Sequence, residues 1–414
     1  MSRRSLLIGL LLTSIVMLPV WVTAGVNSTE PTEFELMHLW LTEIEAPALN
    51  YLQEVVVGAG AKWREHRVSG NFYGVRSAFA ERLSLGVPPT AVFWIGGDEL
   101  RSMVETKIIR SITRDATTDD LSKTLRPEIV DKISIGEAIT SLPLVIHLQN
   151  VAVVNQKIFN ELGITQPKSW TDFIQQSERI KSAGYIPLAM SDQRWQMRFL
   201  FGSIMSDGLS KQEFVDMLIG FKDEAWTKAQ YTRAFQTLLA LKSFSNANSK
   251  DLAWQDVLLQ VREGNAAMTI TGDFAAPALS HDHTVTCRLA PGGNFVSWSF
   301  DVLAFTLLPE SSMRTGQDLA IRALSRKDVL RNFALKKGGI PVVNEIKLEE
   351  FDQCSANSAR NWAELEKVHF DSERWRLQLN SISSIAQAFW RADNPDPERY
   401  ATVLVKELQS NLSD

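Results

Sequence analysis

Four tryptophans stand beside polar residues at the ends of stretches that read as strands: Trp40, Trp195, Trp254 and Trp298. They belong to a set of twelve in 414 residues, well above ordinary usage. A sugar offers flat C–H faces that stack on such rings, while its hydroxyls need charged or amide partners at the rim. A largely apolar wall with a few placed polar groups is how small-ligand sites are built. Tryptophan also fills cores while its N–H finds a partner. Taken singly, each ring reads first as core; taken as a set, at least one or two are expected to face a ligand.

The residues of catalysis are missing from this pattern. No pair of carboxylates has a spacing that suits glycoside hydrolysis, and there is neither a nucleophile elbow nor a metal motif. A Trp-lined cleft with carboxylates would also suit a secreted glycosidase, which stays open beside the leading expectation of a non-catalytic binding protein with no cofactor and no metal. The only cysteines are Cys287 and Cys354. In an oxidising compartment an isolated pair is expected to bridge, the alternative being two buried thiols. The bridge would close a loop of roughly 67 residues and stabilise by about 4 kcal/mol on the chain-entropy account.

The export signal lies at the N-terminus. Arg3 and Arg4 precede an apolar run from Ser5 to Val22, and Val22-Thr23-Ala24 offers a peptidase site. That order predicts a cleavable signal peptide over 1–24 and a periplasmic protein. A run of roughly 18 residues also reaches the lower edge of a membrane-spanning helix, so an uncleaved anchor is the alternative; Pro19 and the small residues after it favour cleavage. No Cys follows the run, which argues against a lipid anchor. Net charge is −5, with 45% hydrophobic and 22% charged residues. That balance fits a soluble globular chain and offers no basic face for nucleic acid.

The elements that must position the tryptophans alternate between strand and helix. Phe34–Leu41 predicts a strand, and a helical pattern follows from about Glu45 to Val57. Ala78–Leu85 reads as helix, and Gly86-Val87-Pro88-Pro89 stops it before a buried strand at Thr90–Ile95. This rhythm implies a mostly parallel sheet covered by helices. Leu142–Asn155 reads as one long extended stretch, Thr171–Arg262 as mainly helical, and Ala266–Thr271 and Phe300–Leu307 as strands. Gly272-Asp273-Phe274 opens a helix, with Asp273 expected as its cap.

Several of these segments resemble the glucose/mannose-type substrate-binding proteins of ABC sugar importers, within extracellular solute-binding protein family 1. They are Leu39-Trp40-Leu41-Thr42 with Glu45, Pro88-Pro89-Thr90-Ala91, and Pro143 to Asn155 with His147 and Asn150 inside it. Ser169-Trp170-Thr171-Asp172-Phe173, Trp195-Gln196, and Gly264-Asn265-Ala266-Ala267-Met268 running on to Gly272-Asp273-Phe274 also match. So do Lys337-Gly338-Gly339-Ile340-Pro341-Val342 and the surroundings of Cys287 and Cys354. The resemblance covers nearly the whole mature chain in one order. It implies an α/β fold of the two-lobed periplasmic binding protein type (type II), with lobes joined by hinge strands. Lobe one is expected at 25–144 plus 298–330, and lobe two at 145–297 plus 331–414, which places both cysteines in lobe two.

Carried over position by position, the resemblance implies a ligand site of Trp40, Glu45, His147, Trp195, Trp254, Phe274, Asp301 and Lys337. Asp and Glu accept sugar hydroxyl hydrogens and Lys donates to oxygens. For Glu45 and Lys337 a solvated surface charge, for Asp301 a hinge-strand role, and for His147 a satisfied interior histidine stay open as alternatives. The implied partners are a carbohydrate ligand and an ABC permease, or else a membrane sensor kinase or chemoreceptor served by a sensory adaptor; the chain is expected to be a monomer. The sequence departs from the family pattern at Leu41, Glu43-Ile44, Phe93, Ile95 and Val151, Val153 and Val154. Those losses predict a ligand other than plain glucose, and Lys337 set against Glu45 and Asp301 predicts a neutral one.

Overall fold

Burial of Phe34 and Leu36, each preceded by a half-exposed glutamate, marks the first strand, β1 (Glu33–His38). Along the chain follow β2 (Lys62–Arg67), β3 (Ala91–Ile95), a short hairpin of β4 (Ser134–Ile135) and β5 (Ala138–Ile139), β6 (Leu142–Leu148) and β7 (Val151–Asn155). Then come β8 (Ile186–Leu188), β9 (Ala266–Thr271), β10 (Val285–Leu289), β11 (Phe295–Phe305), β12 (Ile340–Pro341) and β13 (Glu366–His369). The computed structural model describes residues 32–112, 118–220, 223–250, 252–280, 282–344, 347–370 and 373–413. The expected signal segment, 1–24, lies outside the described residues.

The strands form two main sheets. The larger has the order β12-β6-β11-β3-β1-β2, with β13 added to β11; the smaller has the order β10-β7-β9-β8. β1 runs parallel to β2 and β3, and β11 is antiparallel to β3 and to β6. The carboxyl ends of β1, β3 and β6 therefore share one edge. Helices cover the sheets, as the strand–helix rhythm predicts, and the chain has the two-lobed type II α/β architecture. β2 escapes a reading by apolar alternation because it is an edge strand of sequence KWREHR with no buried residue. Charged side chains on such an edge discourage pairing with another chain.

Leu142–Asn155 is not one strand. β6 belongs to the larger sheet and β7 to the smaller, with Gln149 and Asn150 between them. The return crossing runs from β10 to β11. Asn150 ties the two crossings: its Nδ2 donates to the Phe295 carbonyl at 2.9 Å and its Oδ1 accepts from the Ser297 N–H at 3.2 Å. Burying this polar side chain costs little because its amide is satisfied. Residues 331–414 do not stay together in one lobe. β12 pairs with β6 and β13 with β11, both in the larger sheet. A two-residue strand such as β12 leaves no periodic trace in the sequence.

The segment 171–262 is helical as expected, with helices Trp170–Ser182, Arg194–Met205, Glu224–Ser243 and Trp254–Arg262. Ser169 caps the first, its hydroxyl accepting from the Asp172 N–H at 3.0 Å. Cys287 on β10 and Cys354 on the helix Gln353–Glu364 form a disulfide. Among the described residues no helix is long and apolar enough to cross a membrane.

Candidate functional site

Ligands of open α/β sheets bind beyond the carboxyl ends of the parallel strands. Here β1 runs out into Leu39-Trp40-Leu41-Thr42, β3 into Gly96-Gly97, and β6 ends at His147-Leu148. From the smaller sheet, β9 leads into Gly272-Asp273-Phe274. Between these ends lies a cleft of about 530 Å³. Trp40, Glu45, His147, Trp195, Trp254, Phe274, Asp301 and Lys337 all line it.

Phe274 is the hub of the aromatic wall. Its ring centre lies 5.4 Å from Trp254, 5.8 Å from Trp195 and 5.7 Å from His147, each in an edge-to-face arrangement. Such pairs orient one another, and Trp195 and Trp254 keep part of their surface open to the cleft. The Trp195 Nε1 donates to Gln193 Oε1 at 2.9 Å. Trp40 is only 2% exposed and packs edge-on against Phe93 at 5.2 Å. Phe93 and Ile95 line the cleft as apolar wall where the family pattern has polar groups, and Leu41, 47% exposed, stands at its rim.

The charged residues are tied in pairs. Glu45 precedes the helix Ala46–Gly58, and its Oε2 accepts from the Thr42 hydroxyl at 3.0 Å and the Thr42 N–H at 3.3 Å. Its Oε1 lies 3.4 Å from Lys337 Nζ. Lys337 closes the helix Lys327–Lys337, with Gly338 in the left-handed conformation at φ 81° as its cap. A Cβ on Gly338 would come within 2.2 Å of Pro277, so only glycine lets the chain turn there. Lys337 Nζ also sits 5.5 Å from the centre of the Phe274 ring. Both Glu45 and Lys337 are buried, which removes the solvated-surface alternative for each.

Asp301 lies at a bulge. The register of β11 against β6 shifts between Asp301 and Val302, opposite Pro143. Proline has no N–H to give to a sheet ladder, so the ladder breaks there. His147 Nδ1 bonds Asp273 Oδ1 at 2.7 Å, and its Nε2 faces Asp301 Oδ2 at 3.5 Å. Asp273 also accepts from the Leu148 N–H at 3.1 Å. Burial disfavours a charged imidazole here, but the Asp301 and Asp273 carboxylates outweigh it and raise the His147 pKa to about 9. Burial pushes the Asp273 carboxyl up, against the pull of His147. His147 is thus an interior histidine, bonded to Asp273 through Nδ1 and facing Asp301 through Nε2, that also edges the cleft. Behind Trp40, His38 is fully buried, and burial lowers its pKa to about 4. Its Nδ1 accepts from the Trp40 N–H at 3.2 Å and so fixes the backbone that carries the ring.

One expectation needs correcting. Asp273 does not cap its helix: the N-cap of Asp273–Leu279 is Gly272, and the carboxylate is drawn to His147 and the Leu148 N–H. Trp298 is a core residue, in keeping with the first reading of each ring taken singly: it is 3% exposed and packed between Phe300, Trp362 and His369.

The cleft also contains residues that motif reasoning passed over. On the helix Asn71–Ser84, Arg76 pairs with Glu99, which also accepts from Trp94 Nε1 at 3.1 Å. Tyr73 donates its hydroxyl hydrogen to Asn380 on the helix Glu373–Arg391. Arg198 and Phe199 lie on the helix of Trp195. Arg198 is three residues on from Trp195 and so shares its face, a spacing that would have flagged it. Tyr73 and Asn380 carry no such signal, being 307 positions apart. Among the described residues no group of His, Cys, Asp and Glu could hold a metal ion. The carboxylates are already bonded to cations or to N–H and hydroxyl donors. A carboxylate held in this way can still accept a hydroxyl hydrogen.

A family model for bacterial extracellular solute-binding proteins matches residues 69–282, just over half of the chain. A probable sugar-binding periplasmic protein of Mesorhizobium japonicum is 25% identical over 343 residues, covering 79% of this chain and 80% of that one. A probable sugar-binding periplasmic protein of Rhizobium meliloti is 22% identical over 344 residues, covering 80% and 81%. Among solved structures, a chitin oligosaccharide binding protein superposes with a TM-score of 0.75 at 14% identity, over 92% of this chain and 99% of that chain. A bacterial solute receptor with a preference for β-D-galactopyranose gives 0.74 at 15% identity, over 92% and 98%. At those identities the structural likeness is one of fold. The family match and the two-lobed architecture together make this chain a member of the bacterial extracellular solute-binding proteins.

Proposed function

We propose that the protein captures a sugar or sugar-like ligand in this cleft and hands it to an ABC importer, without catalysing a reaction on it. The observation that carries the reading is the meeting of Trp195, Trp254 and Phe274 with Glu45, Asp301 and Lys337 around one cavity of about 530 Å³. Rings offer stacking faces, and the charged groups give hydrogen bonds stronger than neutral ones, which suits a ligand leaving water. The names of the relatives point to the same ligand class. A sensory adaptor would use the same cleft, and nothing in the cleft favours it.

In this reading the lobes close on the ligand about the crossings at 149–150 and 290–294, the motion known for periplasmic binding proteins as a class. The larger-sheet lobe takes in β12 and β13 beside 32–144 and 298–330. The chain is exported by residues 1–24 and acts as a monomer in the periplasm. A thermal-shift screen against mono- and disaccharides tests the ligand class. A cognate sugar at 100 times its Kd adds about 2.7 kcal/mol of stability. A flat response to every sugar, together with turnover of aryl glycosides, would replace this reading with an enzymatic one.

A further inference from the structure

Around the cleft, several charged groups meet a partner of opposite sign. Lys337 meets Glu45, Arg76 meets Glu99, and His147 stands between the two carboxylates of Asp273 and Asp301. Arg198 breaks the pattern. No carboxylate stands within ion-pair reach of it among the described residues, and its guanidinium makes no hydrogen bond to any of them. Its Nε is shut off from solvent without an acceptor. The groups that act on it are the Phe199 ring, 5.2 Å from the guanidinium carbon, and the Tyr73 hydroxyl.

Arg198 lies one helical turn from Trp195 and lines the same cleft. The lining it shares includes the neutral Gln149, Tyr73 and Asn380 and, on the helix of Asn380, Arg376. A guanidinium stays protonated in proteins, so burial cannot be relieved by losing the charge. Arg198 is half-buried, with Nε shut off from solvent, and burial pulls its pKa downward. The planar fork fits a two-oxygen anion with two parallel N–H···O bonds.

We propose that Arg198 is an anion subsite of the cleft, and that the ligand is a sugar bearing one singly charged oxyanion, a carboxylate or a sulfate ester, seated on Arg198. This rests on the sugar-capture reading above and names its ligand class. Arg198 has no carboxylate of its own within reach, and a single oxyanion on the ligand would supply one. The expectation of a neutral ligand counted Lys337 against Glu45 and Asp301. Those three are already engaged with one another and with His147, and the count left out the helix that carries Arg198.

The test uses the purified full-length mature protein, freed of bound ligand by unfolding and refolding. Calorimetry at pH 7 compares matched pairs: glucose with glucuronate, galactose with galacturonate, and N-acetylglucosamine with its 6-sulfate. In at least one pair the acidic member is expected to bind 10-fold tighter or more. The carboxylate and sulfate arms decide which oxyanion is preferred. Arg198→Met is expected to abolish that preference while keeping the melting temperature at or above the wild-type value, since it removes an unpaired charge. Arg198→Lys keeps the charge without the fork and is expected to retain a weaker preference, which covers the case where the Met variant misfolds. Equal or tighter binding of the neutral member in every pair overturns the anion subsite and leaves sugar capture standing. So does a preference that survives Arg198→Met. Inorganic sulfate, followed by Trp fluorescence, separates the remaining case. With every sugar silent, saturable quenching lost in Arg198→Met keeps the subsite and removes the sugar reading, and no response to sulfate removes both.

Discussion

Lys337 Nζ lies 3.4 Å from Glu45 Oε1, and the two residues, 292 positions apart in sequence, are both buried in the wall of the cleft. The pair joins the end of one helix to the start of another and turns two costly charges into one neutral unit. Removing one partner leaves the other buried and unpaired. Lys337→Met is therefore expected to destabilise the fold by about 3–5 kcal/mol, and Glu45→Gln combined with it to recover part of that loss. Urea unfolding of the two single variants and the double variant measures the coupling. Strictly additive losses would show that the two charges act independently.

The pH dependence of stability follows from His147. Its pKa is about 9 in the folded chain against 6.5 for the free side chain, so the folded state holds that proton more tightly than the unfolded state. The resulting stabilisation is complete below pH 6.5 and is lost as the pH rises through 9. Melting temperatures between pH 6.5 and 9 should fall in the wild type and fall less in His147→Gln. Parallel curves for the two proteins would remove His147 as the cause.

On the acid side His38 acts with the opposite sign. Its folded pKa is lowered to about 4, so protons favour the unfolded chain as the pH drops from 6.5 toward 4. A variant that needs no proton there, His38→Asn, is expected to flatten the acid limb of the melting curve. The same substitution loosens Trp40, whose N–H bonds His38 Nδ1, and ligand affinity should drop with it.

Trp254 opens the helix Trp254–Arg262 and meets the Phe274 ring edge-on at 5.4 Å while remaining partly exposed. Trp254→Ala is expected to weaken sugar binding by roughly 1–3 kcal/mol, as for a central aromatic anchor, with the fold retained. Calorimetry and a melting curve on the same sample separate the outcomes. Unchanged affinity with a sharply lower melting temperature would make Trp254 a packing residue.

The disulfide ties β10 to the helix Gln353–Glu364, and neither cysteine lines the cleft. Replacing both Cys287 and Cys354 by Ala should cost about 2–5 kcal/mol of stability and leave ligand affinity within about twofold, because the bridge stiffens its surroundings without touching the site. Mass measurement of the unreduced wild type should show two fewer hydrogens than the reduced form. A large affinity loss in the double variant would place the bridge in the closing motion.

The sequence by itself determined which stretches are strand and which are helix wherever apolar periodicity was strong, as at β1, β3, β9 and the helices between 171 and 262. It also marked the aromatic set, the lone pair of cysteines, and motifs that named eight residues now found around one cleft. These signals are local: periodicity reports which face is buried, and residue type reports what chemistry is available. The tertiary structure alone decided which charge meets which. Asp273 reads as a helix cap until β6 brings His147 and the Leu148 N–H to it. Which of the four tryptophans are core stays open in the sequence until β13 covers Trp298 with His369. Arg198 reads as an ordinary helix residue until the fold sets it in the wall of the cleft beside Trp195. Such pairings join residues well separated along the chain, and they depend on how two sheets and their crossings pack, which no spacing along the chain encodes.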